Sequence, residues 1–258
     1  MNKQSKSQQR RGIEWTDYTW NVVGGCQHGC RWVMPDGTVA ECYAETVAER
    51  VAQNSYPLGF EHHYWRPEAL NEPLKLAKPS RIFLDSMSDL MGHWIPDEQV
   101  EQVLNTCREA SQHQFQLLTK NAPRLLHFDF PSNVWIGVSA PPSIMFGKPL
   151  SMNQQQRMVE RQLEVLHQID VPVRWMSIEP LSFNIAPLLK GGNLQWAVIG
   201  AATNGAKAYQ PRREWVENVL DVLDAENTKV FFKGNLIWNP WREEFPEHQL
   251  VANDKILC

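Results

Sequence analysis

The sequence predicts an α/β fold, a partial or open (β/α) barrel built on a six- to seven-stranded, mainly parallel sheet. Three observations carry that expectation. Short apolar runs rich in β-branched and aromatic residues recur along the chain, segments with a helical apolar stripe separate them, and most runs end on polar or small residues. Strand–helix alternation of this kind implies parallel strands joined by crossover helices.

The runs are Arg81–Asp85, Phe115–Thr119, Val134–Val138, Arg174–Ile178, Gln195–Gly200 and Lys229–Lys233, with Thr19–Val23 as one more strand leading into a cysteine-rich loop. Each is bounded by Pro, Gly, Asn or Ser, as buried parallel strands are. Between them, Pro96-Asp97-Glu98 marks a helix start, with proline early and acids in the first turn. Val100, Val103, Leu104 and Cys107 follow as one stripe. Ala44, Val47, Ala48 and Val51 repeat that spacing after Cys42. Val159, Leu163, Leu166 and Ile169 mark a third helix, and Trp215, Val219, Leu220 and Val222 a fourth. The stretches 121–128 and 184–190 leave room only for short helices.

Domain organisation follows from these elements. Residues 1–12, with Lys3, Lys6, Arg10 and Arg11, are expected to be a flexible tail, 13–240 a single α/β domain with the cysteine loop at 24–45, and 241–258 a C-terminal extension ending in Cys258. A chain of 258 residues with 43% hydrophobic content can bury a sizeable core. The formal net charge of −4 makes no general attraction for nucleic acid. No run of about 18 apolar residues is present, so no membrane span is expected. No signal-peptide pattern opens the chain, and a cytoplasmic location is expected. Three of the five cysteines fall between positions 26 and 42, which favours a metal centre over a disulfide framework.

In parallel α/β folds the carboxyl ends of the strands form the active-site rim. Here those ends carry Asp85 and Ser86, Thr119 and Lys120, Ser139, Glu179, Thr203 and Asn204, and Lys233 and Asn235. Each residue alone is explained by a strand ending where polarity begins; their recurrence is less easily explained so. Local alternatives apply to several: Asp85 and Asp89 as caps, Glu179 and Lys120 as solvated ends. Glu14, Trp15 and Asp17 are expected to brace the cysteine loop. His62 and His63 belong to a polar loop.

The loop itself reads Gly24-Gly-Cys26-Gln-His-Gly-Cys30, then Pro35-Asp-Gly37, then Cys42-Tyr-Ala-Glu45. Gly24, Gly25 and Gly29 let the backbone curl tightly. Pro35-Asp36-Gly37 reads as a turn, and a hairpin there would bring Cys42 back beside Cys30. Spacing alone leaves zinc, with His28 as fourth ligand, and an iron–sulfur cluster equal. Three unliganded buried thiols explain the glycine-rich loop less well.

The Cys26-x3-Cys30 spacing and the Cys42-Tyr43-Ala44 ending resemble the cluster loop of radical S-adenosylmethionine enzymes, closest to the spore photoproduct lyase-like branch. The usual motif is Cys-x3-Cys-x2-Cys, whereas this chain has eleven residues in the second gap. Removing Val33–Glu41 would restore the usual spacing. Over residues 13–235 the chain also resembles phage and bacterial three-cysteine-motif proteins of unknown function. The stretches that carry this are Ile13–Asp17, Phe83–Asp89, Leu118–Lys120, Val134–Ser139, Ser177–Leu181 and Phe231–Lys233.

The resemblance implies a [4Fe–4S] cluster on Cys26, Cys30 and Cys42, with one iron open to S-adenosylmethionine. It implies Tyr43 beside the cluster or adenine, and Asp85, Ser86 and Ser88 near the methionine amino group. Ser139 and Glu179 would meet ribose hydroxyls or substrate, Gly200 would let backbone approach the adenine, and Asn204 would lie on the substrate side. Lys120 and Lys233 suit an anionic substrate group. A partner protein and a nucleic-acid substrate are further implications. The competing expectations are a zinc-stabilised binding module, for which eleven tryptophans offer stacking surface, and a non-catalytic relative that keeps the fold.

Overall fold

A computed structural model describes residues 1–4 and 12–247. Its main sheet has eight strands: β1 (Asn2–Lys3), β2 (Tyr18–Trp20), β3 (Arg81–Leu84), β4 (Gln114–Thr119), β5 (Val134–Ser139), β6 (Arg174–Ile178), β7 (Trp196–Ile199) and β8 (Lys229–Phe232). Their order in space is their order in the chain. β1 runs antiparallel to β2, and every later pairing is parallel. Successive crossovers each step one strand onward across the sheet. β1 and β8 are the two edges and do not pair, so the sheet stays open and no closed barrel forms among the described residues.

The expected strands are all present, and an eighth was not foreseen. Asn2–Lys3, inside the stretch expected to be a tail, pairs with Tyr18 and Thr19, and the Met1 amino group meets Glu72. Two polar residues give no apolar alternation to read. The rest of that tail, 5–11, lies outside the described residues, as do 248–258 with Cys258. Residues 241–247 return to the sheet: Glu243 bridges Phe231 and Phe245 packs on Trp196.

The helices are α1 (Tyr43–Arg50), α2 (Asp97–Glu109), α3 (Met152–Leu166), α4 (Ala186–Leu189) and α5 (Arg213–Ala225). α2 starts after Pro96 and buries Val100, Val103, Leu104 and Cys107 as its stripe requires. α3 opens on a capping box between Ser151 and Gln154. α5 buries Val216, Val219 and Leu223, so its core face is rotated from the expected one. Val51, expected on the α1 stripe, is 81% exposed because the helix stops at Arg50. No described helix is long and apolar enough to cross a membrane.

Alternation along the strands divides the core in two. One face carries Ile82, Leu117, Ile136, Met176, Ile199 and Phe232 against α2, α3 and α5. The other carries Phe83, Trp135, Trp175, Trp196 and Phe231, joined by Trp15, with indole centroids 5.1–5.8 Å apart among Trp15, Trp135, Trp175 and Trp196. Gly137 pairs with Trp175, and a Cβ there would lie 2.2 Å from the indole. The missing side chain is what lets the ring lie flat in this layer. These tryptophans are buried core and not surface for stacking. Above them, at the carboxyl ends of the strands, the face turns polar and opens into a cleft.

Candidate functional site

The cysteine loop leaves β2 and is fixed by the segment after β3. Asp85, with φ of 51°, donates its backbone N–H to Trp20 O and accepts from Val23 N at 2.9 Å. Gly25 N donates to Met87 O, Ser88 Oγ donates to Gly25 O at 2.6 Å, and Cys26 N donates to Phe60 O. Gly25 has φ of 82°, and a Cβ there would collide with His62 O at 1.8 Å. Only glycine fits this close passage of two backbones.

Beyond Cys30 the chain forms a hairpin, Arg31–Val33 against Val39–Glu41, closed by a turn in which Gly37 N donates to Met34 O. The register pairs Arg31 with Glu41. One step beyond those partners stand Cys30 and Cys42. The nine extra residues therefore loop out and bring Cys42 back opposite Cys30, as the Pro35-Asp36-Gly37 turn predicted. Arg31 holds Glu45 with two hydrogen bonds, 2.5 and 2.9 Å, and so ties the hairpin base to α1.

All three cysteines line one cleft of about 450 Å3, together with His28, Tyr43, Asp85, Asp89, Lys120, Ser139, Glu179 and Lys233. Burial pushes the Cys26 thiol well up, with the Asp89 charge adding to it. Burial also pushes Cys30 up to about 11, against the pull of Lys120. Lys120 is half-buried and donates to Ser139 Oγ at 3.0 Å. Burial lowers its pKa, but the thiols of Cys30 and Cys42 and the Asp89 carboxylate leave it raised overall. Asp89 is buried, which favours its neutral form, yet the His28 hydrogen bond and charge hold it below its usual value.

His28, expected as a fourth ligand for zinc, has a carboxylate partner. Its Nε2 meets Asp89 Oδ2 at 2.8 Å, and among the described residues no group of three His, Cys, Asp or Glu side chains closes on a single metal ion. Zinc bonds of about 2.3 Å require ligand sulfurs about 4 Å apart. The three thiols line the same cleft, two of them held protonated by burial, and any metal or cluster bound there would have to displace those protons.

Residues 10–253 match the family described as "Protein of unknown function (DUF5131)". The chain belongs to that family. No curated protein matches this member of DUF5131. Its fold is similar to that of a cysteine-to-serine mutant of spore photoproduct lyase, with a TM-score of 0.54 and 11% identity over 86% of this chain and 78% of that one. Spore photoproduct lyase complexed with dinucleoside spore photoproduct gives 0.44 and 9% over 83% and 62%. A radical SAM methyltransferase from Sphaerobacter thermophilus gives 0.40 and 16% over 81% and 63%. The DUF5131 chain thus spans less than two thirds of the last two. The likeness is one of fold, a mixed α/β architecture on a large, mainly parallel sheet.

Several expected site residues have other partners. Ser86 Oγ donates to Asn21 and Ser88 Oγ to Gly25, so both clasp the cysteine loop. Asp85, pushed up to about 8 by burial, is spent on Val23. Tyr43 stands 69% exposed on the rim. Glu179 and Lys233 form an ion pair on the cleft wall. Gly200 lies behind that wall, against Glu179 Cγ. Asn204 sits on the hairpin of Ala202–Asn204 and Lys207–Tyr209, facing Thr38 instead of the cleft. Glu14 braces the other end of the site from that expected, accepting from Gly234 N at 2.7 Å, and Asp17 accepts from Arg81 N. The His28–Asp89 pair was not foreseen, because its members lie 61 residues apart and no local pattern links them.

Proposed function

We propose that this protein is a radical S-adenosylmethionine-type enzyme, with Cys26, Cys30 and Cys42 holding a [4Fe–4S] cluster and S-adenosylmethionine entering the cleft beside it. The observation that carries this is the hairpin register, which offsets the long Cys30–Cys42 gap and leaves three thiols on one wall. The narrower kinship with phage and bacterial three-cysteine-motif proteins is part of the same proposal. A cluster held by these cysteines would supply the electron for reductive cleavage of S-adenosylmethionine, and with it hydrogen-atom chemistry on a substrate.

The chain's own residues orient and shield. Lys120 and Ser139, hydrogen-bonded to each other at the ends of β4 and β5, offer a cation and a hydroxyl to the cofactor's carboxylate and ribose. Asp89 fixes the loop by accepting from His28, Lys120 N and Met91 N. Trp32, Met34 and Ala40, on the inward side of the hairpin, cover the cleft. The hairpin tip is held by Asp36, which accepts from Lys207 Nζ and Tyr209 OH, each at 2.7 Å. That cover excludes water from a radical reaction.

The test is anaerobic reduction of the cluster-loaded protein with S-adenosylmethionine, followed by chromatography for 5′-deoxyadenosine. Its formation supports the enzyme. An intact cluster without it would leave a non-catalytic relative that keeps the fold.

A further inference from the structure

A second hairpin, Ile144–Met145 and Lys148–Pro149, adds to the edge of the Arg31–Val33 strand, with Ile144 opposite Arg31. Its turn is the two residues Phe146 and Gly147, closed by the Met145–Lys148 pair, and both have positive φ, 51° and 69°. A two-residue turn of that hand is the place for Asn-Gly or Gly-Gly. Among the described residues, four non-glycine positions have positive φ: Asp85, Phe146, Asn193 and Asn227. Asparagine and aspartate reach that region through hydrogen bonds of their short side chains, whereas a bulky aromatic residue there is strained. Strain of this kind persists only where neighbouring contacts hold it, and it collects at functional sites.

The contacts of Phe146 show what holds it. Antiparallel pairing carries the hairpin tip past Arg31 to the cysteine loop, where Phe146 N donates to His28 O at 2.7 Å. The Phe146 ring meets the His28 imidazole edge-on, with centroids 5.3 Å apart, and Trp94 meets the same imidazole at 5.0 Å. His28 is buried and stands midway between Cys26 and Cys30. Phe146 is half-exposed, so its ring has one side on solvent and one on that imidazole. An asparagine at 146 would relax the turn and keep the backbone bond to His28 O. What phenylalanine adds is the ring.

We propose that Phe146 is a positioning residue: its ring closes the outer side of the Cys26–Cys30 loop and shields that loop, and the cluster on it, from solvent and oxygen. This rests on reading the three cysteines as cluster ligands. Phe146 is not among the residues lining the cleft, so it acts through His28.

The experiment compares wild type, Phe146→Asn and Phe146→Tyr as anaerobically reconstituted full chains. The readouts are the decay of visible cluster absorption in air-saturated buffer and urea unfolding of the iron-free chains. Phe146→Asn is expected to bleach about fivefold faster, the factor that loss of one aromatic pair gives to local opening, while its urea midpoint stays the same or rises. Phe146→Tyr keeps the ring and should match the wild type in bleaching. A residue that merely supported the fold would lower the midpoint as bleaching quickened. Bleaching of Phe146→Asn at the wild-type rate overturns the inference, as does a fall in its urea midpoint. A wild type that takes up no iron shows that the cluster reading has failed, and the iron-free chains then decide the shielding of the loop. Cys26 and Cys30 should react faster with 4,4′-dithiodipyridine in Phe146→Asn than in the wild type, with buried Cys107 slow in both; equal rates at Cys26 and Cys30 overturn it.

Discussion

Asp85 and Asp89 are both buried carboxyls, and their partners make them opposites. Asp85 has a raised pKa, about 8, because burial outweighs its hydrogen bonds from Val23 and Val22 and the Arg66 charge. In the unfolded chain it would titrate near about 4. Between those values the unfolded state has lost a proton that the folded state keeps, so this group lowers stability as pH rises from about 4 to about 8. Asp85→Asn retains the acceptor for Val23 N and removes the titration. Urea unfolding at pH 5 and pH 8 should show a smaller loss at pH 8 in the variant than in the wild type; identical profiles would contradict it. Asp89 is depressed through His28, so its contribution is present above the unfolded value and is lost as pH falls through the lower folded one. Asp89→Ala strands His28, Lys120 N and Met91 N, and should cost roughly 3 kcal/mol or more by chemical denaturation.

At the scale of elements, the hairpin Arg31–Glu41 is the departure from the usual motif that the structure explains. Deleting Val33–Glu41 removes the strand pairing and the Asp36 clasp while leaving two residues, Arg31 and Trp32, between Cys30 and Cys42. Iron content after reconstitution should be retained in that deletion, with the cleft more open to reductant and oxygen. Loss of iron would show that the hairpin builds the site instead of looping out from it. The sheet offers a second test. Gly137→Ala places a Cβ in the Trp175 ring and should destabilise the chain by about 1–3 kcal/mol in urea unfolding. A neutral effect would mean that the tryptophan layer has slack.

Across the molecule, what was legible depended on locality. Strands such as Arg174–Ile178 and the α2 stripe are set by their own apolar pattern and bounding residues. The turn that returns Cys42 to Cys30 is equally local, and it was read from Pro35-Asp36-Gly37. β1 was missed because two polar residues pair only through backbone. The partners of Ser86, Ser88 and Glu14 were missed because each bond spans 63 to 220 residues and is decided by the tertiary assembly of distant segments. The polar strand ends marked the cleft correctly as a place. They did not say which groups would be spent on holding it together, as Asp85 is, and which would be left facing a ligand.

Elemental analysis and Mössbauer spectroscopy of the anaerobically reconstituted protein test the central claim most directly. About four irons per chain are expected in the wild type. That content should be lost in Cys26→Ala, Cys30→Ala and Cys42→Ala, and kept in Cys107→Ala, whose thiol lies buried in the α2 core. Stoichiometric zinc without iron, or a cluster that survives loss of Cys42, would contradict the account.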